Sequence, residues 1–248
     1  MQIIISPAKK MRVDTDSFAW KDLPAFLPQT QVLFDRLKEL SYDELKTLWK
    51  CNDKIAAQNI QRIQTFELDR TLTPAVMAYE GIQYQYMAPG VLSQDALVYL
   101  QDHLRILSGF YGLLRPFDGV IPYRLEMQAK LAVGETKDLY AFWGDSLAKA
   151  FWSETDMVIN LASKEYSQCV SKYVPEGKLF LTCTFGERKG DKIIEKGTMC
   201  KMARGEMVRF MAETRAEHPE QLKSFDRMGY RYSAEDSTDT NYVFIKEE

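Results

Sequence analysis

His103 to Met127 read HLRILSGFYGLLRPFDGVIPYRLEM, and what these residues become decides the architecture. Leu97, Leu100, Leu104 and Leu107 recur at three and four residues and make one apolar stripe, the pattern of an amphipathic helix. Ser93 stands where an N-cap belongs and Gly109 where a helix stops. The spacing therefore predicts a helix up to Gly109, a turn at Ser108-Gly109-Phe110-Tyr111-Gly112, and a second apolar segment, together a helix–hairpin–helix-like element. Gly109 and Gly112 in such a hairpin let backbone amides approach phosphate oxygens. Arg105, Arg115 and Arg124 offer forked donors to the same anion, and only Asp118 and Glu126 oppose them within the stretch. The turn is one residue longer than the L-P-G-V-G of common DNA-binding hairpins, and the same pattern suits a packed structural turn. Both readings stay open.

Working outward, the 248 residues suffice for a sizeable core. Apolar content of 46% and charged content of 27% are those of an ordinary globular protein. The net charge of −3 gives no general attraction to polyanions, so any nucleic-acid site must be a local basic patch. Cys51, Cys169, Cys183 and Cys200 form no C-x-x-C clamp and read as free thiols in a reducing compartment, with a thiol sensor as the alternative. Two histidines, His103 and His218, argue against a His-rich zinc or di-iron site; no metal and no cofactor is expected. MQIIISPAKK lacks a signal-peptide layout, and no apolar run reaches the length of a membrane span. A cytoplasmic protein without membrane contact is expected, its oligomeric state open.

Ile3-Ile4-Ile5 and Met157 to Leu161 read as buried strands, Val76 to Tyr79 as another. Lys178 to Phe185 and Lys192 to Lys196 read as a hairpin or a pair of neighbouring strands, and Gly229 to Tyr232 and Tyr242 to Ile245 as terminal strands. Helices are expected after Thr30, at the capping box Ser41-Tyr42-Asp43-Glu44, along Ile55 to Phe66, Leu139 to Trp152, Ser163 to Tyr173 and Thr198 to Ala216. Strands and helices alternate without repeat or linker. The expected fold is α/β in the mixed α+β sense: one domain over residues 1–248 with a mixed sheet flanked by helices.

Four constellations could carry chemistry. Ser6, Lys9 and Lys10 follow a strand end, where open α/β folds place ligand contacts; two solvated lysines are the plain alternative. Arg105, Gly109, Gly112, Arg115, Tyr123, Arg124 and Glu126 crowd the opening stretch. Asn160, Ser163, Glu165 and Tyr166 leave a second buried strand, where Ser163 is equally a simple N-cap. Lys201, Arg204, Gly205 and Arg209 form a basic stripe on the long helix, or an ordinary solvated face. Glu126, Glu165 and Tyr166 are the acid–base candidates. No phosphate-binding glycine loop, nucleophile elbow or H-E-x-x-H motif is present.

Taken together, Ile5-Ser6-Pro7-Ala8-Lys9, His103 to Pro116, Pro122 to Met127, Leu139 to Gly144, Ile159 to Tyr166 and Ala203 to Phe210 resemble, in this order and over essentially the whole chain, the bacterial YaaA family of peroxide-stress proteins. The resemblance implies a mixed α/β fold with a basic cleft and a helix–hairpin–helix element. It also implies resistance to hydrogen peroxide through limitation of the free intracellular iron that drives hydroxyl-radical chemistry, with DNA as a proposed partner. Two functions are expected in competition. In the first, a local basic cleft holds double-stranded DNA with little sequence preference, through Lys9, Arg105, Arg115, Arg124, Arg204, Arg209 and the hairpin amides. In the second, an enzyme acts on a phosphorylated or carboxylated small molecule in a pocket of both charge signs, for which Glu126 and Glu165 among the cations are the motive.

Overall fold

Three consecutive isoleucines with no polar alternation suit a strand buried on both faces, which in practice means the interior of a parallel sheet. In the computed structural model, which describes residues 1–190 and 192–247, that strand is β1 (Gln2–Ile5), with Ile3, Ile4 and Ile5 fully buried. β2 (Lys10–Met11) follows, then helices α1 (Leu27–Lys38), α2 (Tyr42–Trp49) and α3 (Asp53–Thr65). The capping box of α2 forms as expected: Ser41 Oγ accepts from the Glu44 amide while the Glu44 carboxylate accepts from the Ser41 amide at 2.8 Å. β3 (Thr73–Pro74), α4 (Ala75–Ala78) and β4 (Tyr79–Glu80) lead into α5 (Ile82–Met87) and α6 (Gln94–His103). β5 (Leu104–Ser108), β6 (Gly112–Leu114) and β7 (Gly119–Val120) come next, then α7 (Leu139–Trp143) and α8 (Ser146–Glu154). The chain closes with β8 (Met157–Asn160), α9 (Lys164–Ser171), β9 (Leu179–Lys189), β10 (Lys192–Ile194), α10 (Gly197–Thr214), β11 (Tyr230–Thr238) and β12 (Asn241–Lys246).

Eight strands make one mixed sheet in the order β11-β12-β9-β8-β1-β5-β6, with β10 paired to β9. The central strands are parallel: Ile3 lies opposite Leu104 of β5 on one side and Ile159 of β8 on the other. β8 continues parallel into β9 and β9 into β12, while β5/β6, β9/β10 and β11/β12 are antiparallel. Helices flank this sheet, so the mixed α/β architecture expected from the sequence is the one observed.

The opening stretch is where expectation and structure part. α6 ends at His103, and Leu104 to Ser108 is a strand paired with β1. Residues 108 to 112 then turn back into β6, with Ile106 opposite Leu114 and Ser108 opposite Gly112. The element is a β-hairpin, not a helix–hairpin–helix. The leucine stripe misled because a short apolar run fits either period; a slot between strands buries Leu104, Ile106 and Leu107 completely, which a one-sided stripe does not need. Arg105 sits inside this strand at only 5% side-chain exposure. Its Nη1 donates to Gln101 O, Asp102 O and Leu104 O at 2.9–3.4 Å, satisfying the orphan carbonyls at the end of α6. Its Nε and Nη2 reach Glu154 Oε2 at 3.2 and 2.6 Å.

Two smaller expectations are also revised. Val76 to Ala78 belong to α4, and the strand begins only at Tyr79. Leu139 to Trp152 is two helices, broken at Gly144, whose φ of +51° no helix allows. Gly109 is required for contact: a Cβ there meets Leu125 O at 2.7 Å and Glu126 C and Met127 N at 2.9 Å. The hairpin turn is therefore the bed on which the backbone of residues 125–127 lies. Gly205 serves α10 similarly, since a Cβ would come within 2.2 Å of Gln83 O in α5. The glycine thus permits a close approach between two helices.

Two outcomes follow. Gly109→Ala forces backbone against backbone and is expected to cost about 1–3 kcal/mol, read as a lower urea midpoint. Asp118 is buried and accepts from the Arg115 amide at 2.8 Å; burial pushes its carboxyl up from 3.8 to about 7. The folded state thus holds a proton that the unfolded chain releases, so stability falls as pH rises from about 4 to about 7. Asp118→Asn removes this dependence, and its advantage over the native protein in urea unfolding should grow by on the order of a few kcal/mol from pH 4 to pH 8.

Candidate functional site

β1 and β8 run side by side and end at the same edge of the sheet, while their neighbours β5 and β9 extend it in opposite directions. Such a divergence leaves a crevice beyond the strand ends, the usual ligand position in open α/β sheets. Both exits are tied together there. The Ser163 amide donates to Ser6 Oγ at 2.9 Å, and Ser6 Oγ donates to Ser163 Oγ at 3.2 Å. Ser163 occupies the N-cap position of α9, yet its side chain caps nothing; the bond to Ser6 replaces the cap. Asn160 shapes the β8 exit from below, its Oδ1 accepting from the Ala162 amide at 3.0 Å and its Nδ2 donating to Thr182 at 3.2 Å.

Above this floor lies a cleft of about 390 Å³, within the size range of small-molecule sites. β1 contributes Ser6, Lys9 and Lys10 just past its end; the segment over Gly109 contributes Tyr123, Arg124 and Glu126; α9 contributes Glu165 and Tyr166; α10 contributes Lys201 and Arg204. Thus Ser6, Lys9, Tyr123, Arg124, Glu126, Ser163, Glu165, Tyr166 and Arg204 come together from regions spread along the whole sequence. The remaining candidates do not line it. Arg105 and Arg115 both pair with Glu154 of α8, the latter at 3.3 Å. Arg209 pairs with Glu213 one turn on at 2.8 Å. Gly112 packs on Trp143 and Leu147. The hairpin amides of Phe110 and Tyr111 are spent on Ser108 Oγ at 3.1 and 2.9 Å, which leaves Gly109 a packing role. Sequence reading missed the wall supplied by Glu80, Gln83 and Tyr84. No motif marked it; Tyr84 enters because its hydroxyl donates to Ser6 O at 2.9 Å.

The cleft carries both charge signs. Lys9 Nζ lies 2.7 Å from Glu126 Oε2, Arg124 Nη2 lies 3.5 Å from Glu126 Oε1, and Lys10 pairs with Glu80 at 3.0 Å. Glu165 accepts from the Gln128 amide at 3.3 Å. Burial lifts its carboxyl above the usual range, the Gln128 amide opposes that, and the nearby Glu126 adds to it. Burial also holds the Tyr166 phenol far above its ordinary range, so it stays protonated. Tyr123 is likewise lifted to about 12 by burial, its hydroxyl shared with Ser108 at 2.6 Å and Tyr79 at 2.7 Å. Of the three acid–base candidates, Glu165 is the carboxyl that burial shifts toward its protonated form, while Tyr166 stays protonated. A larger groove of about 560 Å³ borders the cleft along residues 126–132, but Glu126 is its only member of the candidate set.

The cysteines are all unpaired. Burial pushes the thiols of Cys169 and Cys183 up to about 12 and that of Cys200 to about 11. Thiolate is the reactive form, so these three are poor sensors. No described helix is long and apolar enough to cross a membrane.

Comparison with known proteins bears directly on this cleft, because the matched region spans every segment that builds it. The family described as "Peroxide stress protein YaaA" matches residues 1–236. A UPF0246 protein of Lachnoclostridium phytofermentans is 54% identical over 248 residues, covering 100% of this chain and 97% of its own. Another from Agathobacter rectalis is 52% identical over 244 residues, 98% of each chain, and one from Pediococcus pentosaceus 52% identical over 248 residues, 100% and 99%. With the family matched along nearly its full length, the chain belongs to the YaaA family of peroxide stress proteins.

Proposed function

We propose that this protein serves peroxide-stress resistance in the cytoplasm by holding a small anionic molecule, a phosphate or carboxylate bearer, in the cleft between β1, β8 and α10. The observation that carries this is the unequal treatment of three arginines. Guanidinium offers five N–H donors, and buried ones are normally satisfied. Arg105, 5% exposed, uses Nε, Nη1 and Nη2. Arg124 and Arg204, at 11% and 17%, each leave a buried Nε without a partner among the described residues. Beyond that, Arg124 has long contacts of 3.3 Å to Trp49 O and 3.5 Å to Glu126, and Arg204 has one of 3.5 Å to Glu195. Both starved forks line one cleft. A two-oxygen anion there completes their bonding, with the forks rotating toward it. Glu126 and Glu165 supply carboxylates for proton transfer on such a ligand. On this reading, limitation of free iron is an output of the bound molecule.

One observation favours a second reading, DNA held by its phosphates at the same mouth: Lys9, Lys10 and Lys201 are exposed there. The arginines that were to extend a basic groove point elsewhere, however, since Arg105, Arg115 and Arg209 are paired with glutamates.

Calorimetric titration separates the two. The small-anion reading expects inorganic phosphate or pyrophosphate to bind, and Arg124→Gln or Arg204→Gln to weaken it about 10–100-fold, the loss of one charge-assisted contact of about 1.5–3 kcal/mol. The DNA reading expects duplex affinity that falls steeply with salt and depends on Lys9, Lys10 and Lys201 rather than on Arg124. Phosphate binding unchanged in both arginine variants overturns the small-anion reading.

A further inference from the structure

Charge pairing within the cleft is incomplete in a way that specifies more than an anion. Lys9 and Arg124 are paired with Glu126, Lys10 with Glu80, and Arg204 with Glu195 outside the cleft. Among the described residues, that leaves two charged side chains of the cleft with no opposite charge within 4.0 Å: Lys201 and Glu165. They share the cleft without pairing with each other. Lys201 sits one helical turn from Arg204 on α10, so the surplus cation adjoins an under-bonded guanidinium. Glu165 stands on the first turn of α9, half-buried, with a backbone amide as its recorded donor.

A simple anion balances only the α10 side. It leaves Glu165 as a half-buried carboxylate beside Glu126, an arrangement that disfavours its charged form. Burial is the main cause of the upward shift of the Glu165 carboxyl, and the neighbouring Glu126 adds to it. Lys9, a cation whose charge acts on Glu165, is committed to Glu126 at 2.7 Å.

Resting on the reading of this cleft as a small-anion site, the geometry points to a two-ended ligand: an oxyanion seated by Arg124, Lys201 and Arg204, joined through a short body to an ammonium group that pairs with Glu165. The ligand class is therefore zwitterionic, an amino acid or an aminoalkyl phosphate. Glu165 is its specificity-determining residue, because a carboxylate accepts from ammonium yet gives no such charge pairing to a neutral hydroxyl in the same place.

The test is calorimetric binding of three probes, inorganic phosphate, 2-hydroxyethyl phosphate and O-phosphoethanolamine, to the full chain and to Glu165→Gln. The two monoesters differ only in hydroxyl against ammonium. Glutamine keeps a carbonyl oxygen for the Gln128 amide, and thermal unfolding of the unliganded variant verifies that the fold is intact. O-Phosphoethanolamine is expected to bind at least tenfold tighter than 2-hydroxyethyl phosphate. In Glu165→Gln that advantage should collapse to under twofold while inorganic phosphate binds at least as tightly, since a nearby negative charge is removed. Lys201→Gln should weaken both monoesters alike. Equal affinity of the two monoesters, or an advantage that survives Glu165→Gln, overturns the zwitterion inference and leaves the anion site standing. Failure of all three probes to bind overturns both.

Discussion

One donor, the amide of Ser163, reaches Ser6 Oγ across the ends of two parallel strands, and the rest of the cleft is registered to that bond. Strands in a sheet lie about 4.8 Å apart, and where they end, the backbone groups that the ladder no longer serves must find other partners. Here a serine from β1 answers a helix start from β8. Tyr84 then fixes α5 to the same serine through its carbonyl. α10 lies on α5 with Gly205 at the crossing, and so delivers Lys201 and Arg204 over the floor. On the other flank, the hairpin turn at Gly109 carries Leu125 to Met127, and with them Arg124 and Glu126. Side chains far apart in sequence thus meet through a short series of backbone contacts.

This ordering explains what the sequence revealed and what it withheld. Ile3 to Ile5 and Met157 to Leu161 were legible as buried strands because such apolar runs, without polar alternation, suit burial on both faces. Ser6, Lys9, Ser163 and Glu165 were findable because strand exits are places where polar residues gather. The hairpin was not findable: Leu97 to Leu107 satisfies helical spacing as a string, and only the free slot beside β1 turns its second half into β5. The arginines were illegible for a related reason. Arg105, Arg115 and Arg209 resemble Arg124 and Arg204 in every local respect, and what separates them is the acceptor each meets. Glu154 claims Arg105 and Arg115 from 49 and 39 residues away, which no local pattern assigns, whereas Glu213 claims Arg209 by ordinary i,i+4 spacing. Gly109 was marked as special, and it is, but for backbone meeting backbone rather than backbone meeting phosphate.

The cleft therefore combines two electrostatic regimes. At its rim, exposed lysines hold glutamates in pairs that solvent screens and that contribute little. Deeper, Arg124 and Arg204 are mostly withdrawn from water without full compensation, and among the described residues no cationic group lies within 4.0 Å of the Glu165 carboxylate. A fold tolerates such shortages where a partner from outside completes them, and generally at the expense of stability in the empty state.

The central position of β1 also has a temporal side. Ile3 belongs between Leu104 and Ile159, and neither neighbour is local. Until both arrive, three adjacent β-branched residues have nowhere to be buried, and loop closure must precede any gain from pairing. β12 likewise joins β9 in parallel only at the far end of the chain. The topology that gathers a cleft from the whole sequence is thus one of high contact order. The same isoleucines that anchor the finished sheet form, in the growing chain, a sticky segment whose protection depends on slow, long-range assembly.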